Sequence, residues 1–469
     1  MLARTLVWVA LVAPSRGEEG TFDQIVDHFD DSATPPKTFQ QHYNYFEGLF
    51  RPSGPPEAVI IEILGEAPNL LKAGPYGDTV GVARRLGAIV VQLEHRFFGP
   101  DLPAPLTSDI IADIVYFRDY LLKNKLTHLK NPQFLLMGNS WPGSLAAWTR
   151  VKHPEEFAGA VAGAPALRFY VDYPGYFDTV AEALSRESVG GSCECACFFG
   201  EASKIMEDFI EDEDQKEILA EEFDTEPEFF NDYHGLALLA ISSPLSEGVK
   251  QNSDRQIQKI CRSVEDLLKR VKAGADSDEE DDSDAIDEDL VDGYYLQELA
   301  KHLIGSRSVK TYTEVVELYI SKPETKPWLL LKCTELGLFP SCNEGSACPL
   351  INTEDFVDAQ LKLCEDVFGI PAPEIHTRIA ANQEKYGKLE ITKSDGKTDL
   401  TNIIVIRGEL DPVRDAGQPL NPPSDLIEIT VKDASHGTWA IKPESQSQQI
   451  RALYDTIAQQ AVKFLNRVE

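Results

Sequence analysis

The alternation of apolar and polar segments between residues 58 and 165 predicts strands that are followed by helices. Apolar residues recur with helical spacing over Asp109–Leu122, and a further helix is expected after Pro142. Short apolar runs predict four buried strands, at Ala58–Leu64, Ala88–Leu93, Gln133–Met137 and Gly159–Ala162. Strands alternating with helices are typical of a parallel sheet covered by helices, so we predict the α/β fold class.

The middle of the chain shows a different pattern, which predicts an insertion. Helical stretches such as Ser203–Ile210 and Val315–Ile320 replace the strands, and the acidic run Asp276–Asp292 predicts a solvated, disordered loop. The α/β pattern then returns, with strands at Asn402–Arg407 and Leu426–Val431 and a helix around Ser447–Leu465. We therefore divide the α/β domain into residues 18–177 and 386–469, separated by a helical cap at 178–385.

Charge restricts the partners of this protein. The 469 residues include 77 acidic and 44 basic side chains, and the formal net charge is −33. A surface of this sign repels phosphate backbones and anionic lipids, which excludes nucleic acids and membranes as partners. The charge favours solubility, and a role at acidic pH is the alternative explanation. The oligomeric state stays open, with a homodimer as one alternative.

The first residues resemble a signal peptide. Arg4 is followed by the apolar run Thr5–Val12, which is too short to span a bilayer, and small residues at Ser15 and Gly17 precede Glu18. We predict a signal peptide over residues 1–17 and secretion of the mature protein.

Eight cysteines lie between positions 193 and 364. In an oxidising compartment this clustering predicts disulfides inside the insertion. A metal site at Cys193-Glu-Cys-Ala-Cys197 is the alternative, but the sequence has no histidine close by and no C-x-x-C pair. We therefore expect neither a metal nor another cofactor.

Gly138-Asn-Ser140-Trp-Pro-Gly143 lies between a predicted strand and a predicted helix. This is the context of a nucleophile elbow, in which a tight turn exposes a serine hydroxyl at the edge of the sheet. The usual motif has glycine where this chain has Pro142, and an ordinary turn is the alternative. We predict Ser140 as the nucleophile.

The two late strands each end close to a candidate partner for Ser140. Asp411 follows the first strand and His436 follows the second. Serine, acid, histidine is the chain order of α/β-hydrolases, so we predict an α/β-hydrolase fold with these three residues as the catalytic triad. Glu409 and Asp433 are alternative acids.

An oxyanion hole needs two backbone donors. We predict that one is the N–H of Trp141, which follows the nucleophile, and that the other comes from the loop after the first strand, at Gly65.

The sequence resembles the serine peptidase family of lysosomal prolyl carboxypeptidase, dipeptidyl peptidase II and thymus-specific serine protease, with their fungal relatives. The resemblance rests on separated segments in the same order: Asp27-His28-Phe29, Glu94-His95-Arg96-Phe97-Phe98-Gly99, Asn139-Ser140-Trp141, Trp328 with Cys333-Thr334-Glu335, Gly408-Glu-Leu-Asp411-Pro412 and Ala434-Ser-His436. It implies a serine peptidase with a helical, disulfide-containing cap, exopeptidase cleavage after proline, and a secreted, lysosomal or vacuolar location. It also implies a Cys333–Cys364 disulfide.

The resemblance leaves the recognised end of the substrate open. A dipeptidyl peptidase needs a carboxylate for the substrate ammonium, and Glu66 and Glu335 are the candidates. A carboxypeptidase needs a cation, for which Arg96 or Arg407 are candidates, although an ion pair with Glu94 or the neighbouring loop is the alternative role of Arg96. The resemblance adds Trp328 as a substrate-binding residue. A prolyl endopeptidase and an esterase or lipase on the same fold remain alternatives.

Overall fold

The computed structural model describes most of the chain. The described residues are 17–32, 34–50, 57–66, 70–96, 107–231, 234–241, 243–276, 288–304, 310–321, 326–343, 345–350, 355–392, 398–440 and 447–466. Residues 1–16 of the predicted signal peptide lie outside them.

The described residues form these strands, in chain order: β1 (Glu18–Ile25), β2 (Thr38–Phe46), β3 (Ala58–Ile63), β4 (Ile89–Leu93), β5 (Gln133–Asn139), β6 (Gly159–Gly163), β7 (Tyr170–Tyr173), β8 (Gly337–Pro340), β9 (Ile391–Thr392), β10 (Thr398–Asp399), β11 (Ile403–Gly408) and β12 (Ile427–Val431).

The α-helices are α1 (Gly77–Leu86), α2 (Thr107–Asn124), α3 (Trp141–Lys152), α4 (Gly175–Ser185), α5 (Cys193–Ile210), α6 (Glu213–Phe223), α7 (His234–Ile241), α8 (Pro244–Gln251), α9 (Gln256–Asp276), α10 (Glu288–Leu303), α11 (Tyr312–Ser321), α12 (Lys326–Leu331), α13 (Asp355–Phe368), α14 (Ala372–Tyr386) and α15 (Gln448–Leu465). Short 3₁₀ turns cover Leu70–Ala73, Glu187–Val189, Pro227–Phe230, Ser253–Arg255 and Thr438–Ala440.

Eight strands form one central sheet in the order β1-β2-β4-β3-β5-β6-β11-β12. The pairs β1–β2 and β2–β4 are antiparallel, and every later pair in this order is parallel. This topology, with its one reversed strand near the edge and its crossover helices, is that of an α/β-hydrolase, and it confirms the predicted fold class. Because β5, β11 and β12 run in the same direction, their carboxyl ends lie at one edge of the sheet.

Both faces of the sheet are buried, which explains the nearly continuous apolar runs of its strands. On β3, Val59 and Ile61 pack into a core that also contains residues of α2 and α3. Ala58 and Ile60 face the opposite core, which contains residues of α1 and α15. The first core continues into the insertion, so the two parts of the molecule share apolar packing.

The insertion is mainly helical and carries three disulfides. Cys195 of α5 is joined to Cys261 of α9, and Cys342 to Cys348. The predicted Cys333–Cys364 disulfide is confirmed, and it ties the π-helical turn Lys332–Leu336 to α13. β7 follows β6 in the chain and pairs in parallel with β8 of the insertion. This pairing connects the insertion to the segment that follows β6.

The predicted bounds of the acidic loop differ from the structure at both ends. The predicted disordered loop Asp276–Asp292 includes the end of α9 and the start of α10, and residues 277–287 lie outside the described part of the chain. Leu296 and Leu299 bury an apolar face of α10, and acidic residues are favoured in the first turn of a helix. These two effects extend the helix back to Glu288.

Within the described residues, none of the helices combines the length and the apolar character that crossing a membrane requires.

Candidate active site

Ser140 lies in a strained turn between β5 and α3. Its backbone φ of 66° and ψ of −135° fall in a region that residues other than glycine rarely adopt. The backbone N–H of Ser140 donates to the Gly163 carbonyl of β6 at 2.8 Å. The turn is thus held by the neighbouring strand, and the hydroxyl projects at the carboxyl edge of the sheet.

Two glycines permit this turn because backbone segments approach closely on both sides of Ser140. A Cβ atom on Gly138 would lie 2.4 Å from the Pro142 carbonyl oxygen, and one on Gly143 would lie 2.7 Å from the Gly163 oxygen. Pro142 itself lies in the first turn of α3, where a proline removes no helical hydrogen bond. Gly143 therefore makes the close approach to the sheet, which explains how the motif tolerates Pro142.

The structure brings Ser140, His436 and Asp411 into one hydrogen-bonded chain. The Nε2 atom of His436 lies 2.9 Å from Ser140 Oγ, and Nδ1 lies 2.9 and 2.8 Å from the two Asp411 oxygens. Asp411 is fully buried, and a second hydrogen bond comes from the Val413 N–H at 2.9 Å. An ionised carboxylate only accepts, so Nδ1 carries a proton and Nε2 is free to accept the serine proton.

The alternative acids lie elsewhere. Asp433 donates its N–H to a Glu409 carboxylate oxygen at 3.0 Å, and both carboxylates are within 3.7 Å of Arg186. These contacts hold the loop before His436, but they leave Asp411 as the acid on the imidazole.

The two predicted oxyanion-hole donors belong to different segments. Trp141 directly follows Ser140, and Gly65 lies in the loop after β3. Trp141 begins α3, so its N–H has no acceptor within the helix. Gly65 and Glu66 follow β3. Burial raises the pKa of Glu66 to about 7, while a backbone hydrogen bond and the positive charge of Lys250 act in the opposite direction.

A buried polar network behind the nucleophile was not predicted from the sequence. Asn139 donates to Asp78 at 2.9 Å and accepts from the Trp439 indole at 2.8 Å. Asn139 directly precedes Ser140, and Trp439 lies three residues after His436. The amide therefore links the serine turn to the histidine loop. Asp78 of α1 and Trp439 are both distant from Asn139 in the chain and meet it only in the folded protein. The sequence therefore carries no local signal for this network.

A cavity of about 260 Å³ opens next to Ser140 between the sheet and the insertion. Its walls are mainly apolar and aromatic, and they include Trp141, Ala164, Trp328, Leu329, Phe339 and Val413. Of the predicted substrate-binding residues, Trp328 lines this cavity with a partly exposed side chain.

Glu66 does not line this cavity, and three other predicted substrate residues are held away from it. Glu335 is buried, and its carboxylate accepts from the N–H and the hydroxyl of Thr107. Arg96 has a structural role, but it forms a buried bidentate pair with Asp113 of α2 rather than the expected ion pair with Glu94 or the neighbouring loop. Arg407 pairs with Glu428 of β12 at 2.5 Å. Local interactions thus hold all three side chains away from the cavity.

Two lysines of the insertion line the cavity instead, and the sequence analysis missed both. Lys250 lies near the end of α8, and its carbonyl accepts the backbone N–H of His436 at 2.9 Å. Lys332 lies in the π-helical turn after α12. Lysines in helices of an acidic protein give no pattern that distinguishes them from surface residues, so only the fold reveals them.

The model of the serine carboxypeptidase S28 family matches residues 24–453. Thymus-specific serine protease of Mus musculus is 26% identical over 477 residues, which cover 96% of this chain and 88% of that protein. Lysosomal Pro-X carboxypeptidase of Homo sapiens is 30% identical over 162 residues, or 32% of each chain.

Among solved structures, a Pyrobaculum calidifontis esterase is similar with a TM-score of 0.39 and 10% identity, covering 96% of this chain and 87% of that one. The family model is the informative match, because it extends from β1 into α15 and includes the serine turn, the insertion and the histidine loop. The chain belongs to the serine carboxypeptidase S28 family of serine peptidases.

Proposed function

We propose that this peptidase cleaves peptide bonds through an acyl-enzyme in which Ser140 is the nucleophile, His436 the base and Asp411 the acid. The observation that carries the proposal is the unbroken hydrogen-bonded chain from Ser140 Oγ through His436 to the buried Asp411. His436 takes the serine proton and later gives it to the leaving amine, while Asp411 holds the imidazole and stabilises its charged form. The N–H groups of Trp141 and Gly65 are the proposed oxyanion donors.

We further propose cleavage after proline, most simply as an exopeptidase acting on proline-containing peptides. The apolar, aromatic cavity beside Ser140 supports this specificity, because a proline ring offers an apolar surface and no N–H donor. The similarity to lysosomal Pro-X carboxypeptidase points in the same direction. Secretion or delivery to a lysosome-like compartment fits the three disulfides of the insertion.

The nucleophile is tested by labelling the purified protein with a fluorophosphonate probe. We expect labelling of the wild type and of Ser188→Ala, an exposed serine whose hydroxyl contacts Asp433, and no labelling of Ser140→Ala. Labelling that persists in Ser140→Ala would exclude Ser140 from this role.

Specificity is tested by mass spectrometry of the products from peptides with proline at the second, penultimate or an internal position, with short acyl esters assayed in parallel. Release of the single residue after a penultimate proline defines a carboxypeptidase, and release of an N-terminal dipeptide defines a dipeptidyl peptidase. Internal cleavage defines an endopeptidase. Turnover of the esters alone would contradict the peptidase assignment.

A further inference from the structure

Lys332 lines the cavity, and none of the carboxylates among the described residues forms an ion pair with its ammonium group. Within the described part of the chain, its hydrogen-bond partner is Gln360 Oε1 of α13, at 3.3 Å. The ammonium also lies 4.9 Å from the centre of the Phe339 ring. Residues of the same segment, among them Leu329 and Leu336, complete an apolar surrounding on the cavity wall.

This environment is unfavourable for a positive charge when the cavity is empty. Burial lowers the pKa of Lys332 to about 7, and the positive charge of Lys250 lowers it further. A buried ion that lacks an opposite charge is costly, and an incoming anion removes much of that cost. The site is therefore suited to a ligand that supplies a negative charge.

The other charged groups on the cavity wall are less suited to bind a charged part of a substrate. Lys250 lies 3.5 Å from Glu247, one helical turn away on α8, and both side chains line the cavity. Their charges compensate each other, which also weakens Glu247 as a partner for a substrate ammonium. Glu66 does not line the cavity, and it is largely protonated in mildly acidic solution because burial raises the pKa of this carboxyl to about 7. The uncompensated charge of the cavity is thus that of Lys332.

We propose that Lys332 binds a carboxylate of the peptide substrate. The proposal rests on the proposed function, since the same cavity adjoins Ser140, and it extends that function by naming the substrate class. The carboxylate is either the C-terminus of the peptide or an acidic side chain close to the cleaved bond. Both sources offer the same chemistry to an ammonium, namely a charge-assisted hydrogen bond in a site of low polarity.

Binding to the full-length Ser140→Ala protein, measured by calorimetry, tests the proposal without requiring turnover. The probes are N-acetyl-Ala-Pro-Phe as the free acid, its C-terminal amide, and the amide of N-acetyl-Ala-Pro-Glu. We expect at least one carboxylate-bearing probe to bind about tenfold or more tightly than the uncharged amide, the gain typical of a hydrogen bond to a charged group. Preference for the free acid identifies the C-terminus, and preference for the glutamyl amide identifies a side chain.

Adding Lys332→Met or the polar Lys332→Gln should reduce this preference to less than about twofold. Lys362→Met is the matched control, because Lys362 lies on α13 with Gln360 but is exposed and paired with Asp366. Equal binding of all three probes, or a preference that survives both Lys332 variants, would overturn the proposal. Failure of the wild-type protein to cleave proline-containing peptides, with the binding preference of Ser140→Ala intact, would instead refute the proposed function alone.

Discussion

The Glu62→Gln substitution should make the stability of this protein less dependent on pH. Glu62 is fully buried on β3, where its carboxylate accepts hydrogen bonds from Gln92 at 2.6 Å and from the Tyr76 N–H at 3.0 Å. Burial raises the pKa of Glu62 from 4.5 to about 7, and the negative charge of Asp78 adds to the effect. The substitution keeps the size of the side chain and removes its ionisation.

The size of the change in unfolding free energy follows from the difference in the proton affinity of Glu62 between the folded and the unfolded state. Each tenfold change in affinity corresponds to about 1.4 kcal/mol, so ionising Glu62 costs the folded state roughly 3 kcal/mol. Because the pKa of Glu62 is raised in the folded state, the protonated Glu62 side chain contributes its full stabilisation below the unfolded pKa of 4.5. This contribution is lost as the pH rises through about 7. Asp78 acts in the same direction, because burial raises its pKa from 3.8 to about 6.

Urea unfolding followed by tryptophan fluorescence at about pH 4.5 and about pH 7.5 measures this effect. The wild type should lose roughly 3 kcal/mol more unfolding free energy between these pH values than Glu62→Gln does. Glu384→Gln is the matched control, since Glu384 is an exposed residue of α14 that pairs with Lys388. Equal losses in the wild type and Glu62→Gln would refute the reasoning, because the general repulsion among acidic residues affects both proteins alike.

The site and the insertion give three further predictions. Asp411→Asn should leave the circular dichroism spectrum unchanged but lower turnover of a proline peptide by up to roughly 10⁴-fold, because an amide no longer fixes the histidine tautomer; near-normal turnover would remove Asp411 from the proposed triad. Gly143→Ala should cost about 1–3 kcal/mol in urea unfolding, since its methyl group would lie 2.7 Å from the Gly163 oxygen, and unchanged stability would contradict that close approach. Replacing both Cys333 and Cys364 by alanine should cost about 2–5 kcal/mol in the same measurement, and unchanged stability would contradict a stabilising role of this disulfide.

The sequence predicts the strands that are buried on both faces and fails where tertiary contacts decide. The runs that form β3, β5, β6 and β11 lie within one or two residues of their predicted bounds. β2 was missed because its sequence is rich in glutamine, histidine and asparagine. Gln41 of this strand is buried only because its amide bonds to Gln24 and to the Glu94 carbonyl, two partners distant in the chain.

The same distinction applies to the candidate site. Ser140, Asp411 and His436 could be predicted together because each follows a strand, and parallel strands of one sheet bring their carboxyl ends to a common edge. Lys250 and Lys332 lie in helical segments of the insertion, whose position over the sheet depends on packing between distant residues. No rule of strand order relates them to Ser140, so the charge in the cavity became visible only in three dimensions.

The hydrogen bond from the His436 N–H to the Lys250 carbonyl has a consequence for protein engineering. It means that the histidine loop is completed by a backbone atom of the insertion and cannot be treated as part of an independent catalytic module. A chimera that receives the corresponding insertion of a relative must supply a carbonyl at the position of residue 250, whatever side chain it carries there. Grafts designed for new specificity should therefore retain the last turn of α8 and vary the surface contributed by α12 and α13.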